Sequence, residues 1–173
     1  MKPLLLSLGL ILVAGAASAA GAESAAPTKT VVIPKGQDGA YDNWGYAPAI
    51  RVGDTVIVSG IPAAGPGDYA DKVRRMFERA KETLAAAGAT MDDVVELTSF
   101  HTGAKDTEAF QKEFETLHKV HSEFFPGYKP AWTAVGTTAL LAQGAVLEMR
   151  FVAVVGSGRQ IRVERQGGAA RQP

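Results

Sequence analysis

Residues 147–155 set the tightest limit on what this chain can become. Leu147, Met149, Phe151, Ala153 and Val155 alternate there with Glu148, Arg150, Val152 and Val154. Successive side chains of a strand point to opposite faces, so the segment has one wholly apolar face and one mixed face. The apolar face needs a cover, and amphipathic helices lying on a sheet supply one. The mixed face presents a glutamate and an arginine to the same side. It either meets water or lines a site.

The rest of the chain supplies the partners this strand needs. Val31-Val32-Ile33 reads as a short strand ended by Pro34 and the turn-prone stretch 36–39. A hairpin follows, in which residues 49–52 and 55–59 are joined by Gly53-Asp54. Beyond the loop 60–67 the apolar period changes to three and four: Val73, Met76, Phe77, Ala80 and Leu84 share a helical face. Asp68 is placed to cap that helix and Gly88 to stop it. Val94–His101 is rich in β-formers and reads as a strand. A second helix begins near Asp106 or Thr107, with the stripe Phe110, Phe114, Leu117, His121 and Phe124, and ends at Pro126-Gly127. Strands at 131–137 and 145–155 close the chain. The order β-β-α-β-α-β-β, with both helices returning to one face of one mixed sheet, is an α+β sandwich. The partly apolar second face would be buried by self-association.

Composition narrows the function classes. Hydrophobic residues are 46% and charged residues 21% of the 173, enough apolar material for one core. There is no cysteine, so disulfides, thiolate nucleophiles and zinc–cysteine sites are excluded. The formal charge is zero, which leaves no electrostatic footprint for nucleic acid. The first 19 residues have the build of a secretory signal peptide: Lys2, an apolar run from Leu4 to Gly15, and the small-x-small site Ala17-Ser18-Ala19. The apolar run is short for a membrane span, so cleavage is favoured over a retained anchor. The expectation is a periplasmic or secreted protein. Residues 20–30 read as a disordered leader and 156–173 as a disordered basic tail. They flank a folded domain at 31–155.

Four stretches, in order and spacing, resemble the Rid (reactive intermediate deaminase, RidA/YjgF-like) family: DTVIVSGIPA, LAAAGATMDDVVELTSF, FFPGYKPAW and VLEMRFVAV. The resemblance covers roughly residues 45–155. It implies a chorismate-mutase-like fold and a homotrimer whose sheets form a central barrel, with small-molecule clefts between subunits. It also implies hydrolysis of reactive enamines and imines to ketoacids and ammonia, with no metal and no cofactor. Family members carry an arginine after the Pro-Ala of the strand near residue 131, where it holds a substrate carboxylate. Trp132 stands at that position here, so this chain resembles a divergent member without the anchor. The resemblance places Glu148 as the residue that orients water, and Tyr46 and Ser59 in the wall of the cleft.

These considerations select six side chains. Glu148, His101 and Tyr46 are the candidate catalytic groups, and Trp132, Ser59 and Arg150 the candidate substrate contacts. Each has a plainer alternative. Glu148 and Arg150 could form an ion pair, Trp132 could be packing, and His101 could be a hydrogen-bonded structural histidine. Tyr46 could be a loop aromatic and Ser59 a hairpin-end residue. His118 and His121 are spaced to share a helical face, with Glu115 preceding them, but His121 lies in an apolar stripe, so structure is favoured over metal ligation. If a carboxylate is bound, the cation would come from Arg150, Arg51 or Lys129. Two functions follow: a cofactor-free hydrolase acting on C=N bonds, or a non-enzymatic trimer that binds a small molecule or a protein.

Overall fold

The computed structural model describes residues 26–166. In chain order the elements are β1 (Lys29–Val32), α1 (Asp38–Asp42), β2 (Ala49–Val52), β3 (Thr55–Ala63), α2 (Tyr69–Ala86), β4 (Val94–His101), α3 (Thr107–Phe124), β5 (Ala131–Gly136) and β6 (Leu147–Val154). The strands form one sheet in the order β1-β2-β3-β6-β4-β5. Every neighbouring pair is antiparallel except β4 and β5, which are parallel and joined through α3.

The alternating strand occupies a central place because only a central place can bury its face. β6 lies between β3 and β4, and Leu147, Met149, Phe151 and Ala153 have no exposed surface. They meet Val73, Met76, Phe77, Ala80 and Leu84 of α2 and Leu117 and Val120 of α3 in one core. Burial of side chains of this size contributes about 1.5–3 kcal/mol each. The two helices begin where their caps dictate. Asp68 Oδ1 accepts from the Asp71 amide at 2.9 Å and Asp106 Oδ1 from the Ala109 amide at 2.8 Å, satisfying N–H groups a helix start leaves bare. Gly53, at φ 57°, makes the β2–β3 turn in a conformation that suits glycine.

Four features differ from the sequence reading. The turn expected at 36–39 runs into the short helix α1. β3 continues to Ala63 through an irregularity, where a hairpin strand ending near Ser59 was expected. β1 starts at Lys29, inside the stretch read as a leader, because its backbone pairs with β2. The start of the segment read as a disordered tail is docked. Ser157–Arg159 forms a 3-10 turn in which the Gly158 amide donates to buried Asp93 Oδ1 at 3.0 Å. Burial alone would raise the Asp93 pKa, but bonds from Gly158, Thr90 and Gly156 outweigh it and hold the carboxyl below its ordinary value. The signal-peptide reading for 1–19 lies outside the described residues, as do the rest of the leader to residue 25 and the tail from 167. No helix among the described residues is long and apolar enough to cross a membrane.

Candidate active site

The cleft begins with a break in the sheet. β3 and β6 slip register between Val58 and Ile61, and Ser59-Gly60 lies at the slip. Glu148, on the face of β6 away from the helices, lays its carboxylate against Gly60. A Cβ on residue 60 would collide with Glu148 Oε1, so the absence of a side chain there is what admits the carboxylate. Ser59 fixes the facing loop: its hydroxyl donates to Ala47 O at 2.7 Å and its amide to Pro48 O at 3.0 Å. That loop carries Trp44 and Tyr46, and the Tyr46 amide is tied to Ala40 O of α1 at 3.1 Å.

The result is a cavity of about 400 Å³. Ser59, Gly60 and Glu148 of the sheet form one side, and Trp44, Tyr46 and Leu141 of two loops the other. Glu148 is half-buried, and burial raises its pKa above the ordinary carboxyl value. No hydrogen bond or ion pair reaches its carboxylate from the described residues. A carboxylate in that state can take a proton from water more readily than a solvated one.

Arg150 does not pair with Glu148. It reaches across to β4, where its Nη1 donates to Glu96 Oε1 at 3.0 Å. The other two cations considered as carboxylate anchors are also engaged elsewhere. Arg51 donates to Gly53 O and Ala87 O, and the Lys129 ammonium donates to Phe125 O at 2.7 Å. Arg79 of α2, with Gln37 and Thr83, borders an adjoining recess of about 40 Å³ that shares Tyr46, Ser59, Gly60 and Pro62 with the cavity.

His101 and Trp132 lie on the other side of the sheet from Glu148. Alternation explains this. His101 shares a face with Leu97 and Ser99, and Trp132 is the cross-strand partner of Leu97, which is fully buried under the helices. There the two join a closed network. Trp132 Nε1–H donates to Ser99 Oγ at 2.9 Å, Ser99 Oγ meets His101 Nε2 at 2.9 Å, and His101 Nδ1 meets Glu113 Oε1 at 2.8 Å. The Tyr69 hydroxyl donates to the same Glu113 oxygen at 3.0 Å. Trp132 can only donate and an ionised Glu113 can only accept. The assignment that satisfies all members has neutral His101 donating from Nδ1 and accepting the Ser99 proton at Nε2. The order Ser–His–Glu is that of a hydrolytic triad, but Ser99 has no exposed surface and its oxygen already holds the indole proton. The network clamps α3 to β4 and β5. It does not attack a ligand. The structure therefore brings Glu148, Tyr46 and Ser59 together and sets His101, Trp132 and Arg150 apart from them.

His121 is buried beside this clamp, stacked on Trp132 at 4.7 Å and on Phe125 at 4.6 Å, and neither ring nitrogen has a hydrogen-bond partner among the described residues. Burial, then the charges of Lys129 and His118, lower its pKa to about 4. The folded form resists the proton while the unfolded chain accepts it near the ordinary 6.5. Stability is thus full above that value and lost as pH falls toward 4, by about 2–3 kcal/mol. His121→Phe is expected to raise the melting temperature at pH 7 and to flatten its fall between pH 6.5 and 4.5. An unchanged acid slope would show that another group titrates.

Trp44, Gly60 and Leu141 were not singled out from the sequence. An aromatic in the polar loop Asp42-Asn43-Trp44-Gly45 was the available signal, since exposed loop aromatics mark binding surfaces. Among the described residues no cluster of three His, Asp or Glu side chains is arranged to hold a metal.

Comparison with known proteins adds a common pattern. The family model described as Endoribonuclease L-PSP matches residues 41–155. The chain is 39% identical over 132 residues to the RutC family protein YjgH of Escherichia coli (strain K12), covering 72% of this chain and 94% of that protein. It is 30% identical over 117 residues to a Dermatophagoides farinae protein named 2-iminobutanoate/2-iminopropanoate deaminase, covering 64% and 85%. The crystal structure of Rv2704 from Mycobacterium tuberculosis, a member of the YjgF/YER057c/UK114 family, aligns with a TM-score of 0.63 at 28% identity. It covers 74% of this chain and 100% of that one.

Proposed function

We infer the function from one premise, that this chain belongs to the Rid (RidA/YjgF-like) family: its cleft hydrolyses the C=N bond of small imines. The observation that carries this is Glu148, an unpaired carboxylate with a raised pKa against Gly60 in a cavity of about 400 Å³. The deaminase name of the mite relative supports the reaction class. Water held by Glu148 adds through its oxygen to the imine carbon, and the π pair moves to nitrogen. The proton released by water passes through Glu148 to that nitrogen. The carbinolamine then gives its hydroxyl proton by the same route, the C–N bond breaks, and a carbonyl compound and ammonia leave. Tyr46 closes the cleft beside the reacting centre, and Ser59 holds the loop that carries it. Among the described residues of one copy no lysine, arginine or histidine lines this cavity, which favours an imine without a carboxylate. Ammonia release from imines generated in place, some with and some without a carboxylate, tests the reading. Rates no faster than buffer for both kinds, with folded protein, would overturn it.

The same proposal includes assembly and location. Away from the helices the sheet exposes Ile57, Val135 and Val154, flanked by Val152 and Phe100, and three copies packed through these faces would bury them. Sedimentation equilibrium at micromolar concentration is expected to give a trimer, and a monomer there would exclude this packing. Cleavage after Ala19 would put the trimer in the periplasm or outside the cell. The intact mass of protein taken from that fraction, lacking residues 1–19, is the check.

A further inference from the structure

We propose that the Glu148 cleft takes organic cations, iminium or ammonium compounds whose charge is held between the Glu148 carboxylate and the rings of Trp44 and Tyr46. The proposal rests on the reading of this cavity as the ligand site and names the charge of what enters it.

Three observations carry it. The first is charge: among the described residues of one copy, the ionisable groups lining the cavity are Glu148 and the Tyr46 phenol. The carboxylate has no partner among the described residues, and the nearest arginine along the strand, Arg150, is held by Glu96. A half-buried carboxylate without a counter-charge favours a ligand that brings one. The second is the opposite wall. Trp44 is 68% exposed and Tyr46 43%, in a short loop whose backbone is pinned by Ser59 and Ala40. Large rings presented to solvent at the rim of a cavity cost stability unless something covers them. Their faces carry the partial negative charge that attracts an ammonium or iminium group. The third is size: about 400 Å³ suits a small organic ion.

The cationic form also fits the chemistry. A protonated imine is the more electrophilic form of the C=N bond, and a carboxylate beside it both stabilises that form and accepts the proton of the attacking water. With the iminium as substrate the balance is one water consumed and a carbonyl compound and an ammonium ion released. The rival is Arg79, whose guanidinium borders the small adjoining recess. It would favour an anion if the two spaces join around a ligand.

The test compares three probes of similar size with the full chain by calorimetry and Trp fluorescence: choline, its neutral carbon isostere 3,3-dimethylbutan-1-ol, and the anion 2-oxobutanoate. Choline is expected to bind about tenfold or more tightly than the alcohol, the scale of a partly desolvated ion–aromatic and ion–carboxylate contact. Glu148→Gln should remove most of that preference, and Trp44→Ala should weaken choline about fivefold. Neither side chain makes a hydrogen bond among the described residues, so both variants should fold. Equal binding of choline and the alcohol overturns the proposal, as does binding of none of the three. Tighter binding of 2-oxobutanoate, lost in Arg79→Gln, also overturns it and makes Arg79 the anchor of a carboxylate. Choline preference without hydrolysis of any imine would remove the hydrolytic reading and leave this one standing. Glu148-dependent hydrolysis without charge preference would do the reverse.

Discussion

Trp132→Arg, the substitution that places an arginine where the resemblance leads one to expect it, is expected to destabilise the protein and to confer no activity on amino-acid imines. The indole ring lies 4.7 Å from His121 and 4.8 Å from Phe114, and its N–H is the donor that closes the bond to buried Ser99. Arginine would lose both aromatic contacts. It would also set a guanidinium next to an imidazole whose environment already disfavours positive charge. Loss of a large aromatic from a packed site costs about 3 kcal/mol or more, and for a domain of this size that lowers the melting temperature by roughly 10 °C. Trp132→Phe, which keeps the stacking and loses only the N–H bond, is expected to cost about 1 kcal/mol. A Trp132→Arg protein as stable as the parent, with new turnover of carboxylate-bearing imines, would show that residue 132 can turn into the cleft.

That prediction shows where the sequence was readable and where it was not. The alternation of Leu147 to Val154 announced a central strand with one buried face, and the fold follows from satisfying it. The cap at Asp68 was legible because a helix start needs an acceptor for its bare amides, and the residues that supply one are few; for the second helix the sequence left the start between Asp106 and Thr107, and Asp106 is the cap. The same parity that placed Glu148 away from the core also determined which way His101 points. His101 stands four residues after Leu97, on the same face of β4, and Leu97 is core. The family resemblance drew His101 and Trp132 toward the cleft, whereas the two-residue period of the strand puts them under α3. Other parts had no local signal. The Glu113–His101–Ser99–Trp132 clamp joins three consecutive elements, but its existence depends on how α3 crosses β4 and β5. The pairing of Arg150 with Glu96 instead of Glu148 depends on strand order, because it requires β4 to lie beside β6. Gly60 read as a loop glycine. Its role appears only when a carboxylate from another strand is laid against its Cα.

Glu148→Gln is expected to lower imine hydrolysis by about two to three orders of magnitude while leaving the melting temperature unchanged or slightly higher. The two effects have one cause. Burial holds the folded pKa of Glu148 above its ordinary 4.5, so the ionised form is disfavoured in the folded state. Whatever the protonated carboxyl contributes to folding is present below pH 4.5 and lost as pH rises through the raised value. At pH 7 the folded protein therefore carries an uncompensated carboxylate, and the neutral amide of glutamine relieves it. The same amide cannot take a proton from water, so the variant gives up the chemistry that the unfavourable charge makes available. In the parent, the hydrolysis rate should rise with pH through a transition above the ordinary carboxyl value, and that limb should vanish in Glu148→Gln. Gly60→Ala provides an independent arm, since a methyl group on residue 60 displaces the carboxylate without removing it. Hydrolysis should fall in that variant too, with Glu148 still present. If Glu148→Gln instead unfolds the protein and keeps the remaining rate per folded molecule, Glu148 belongs to the structure and the base lies elsewhere.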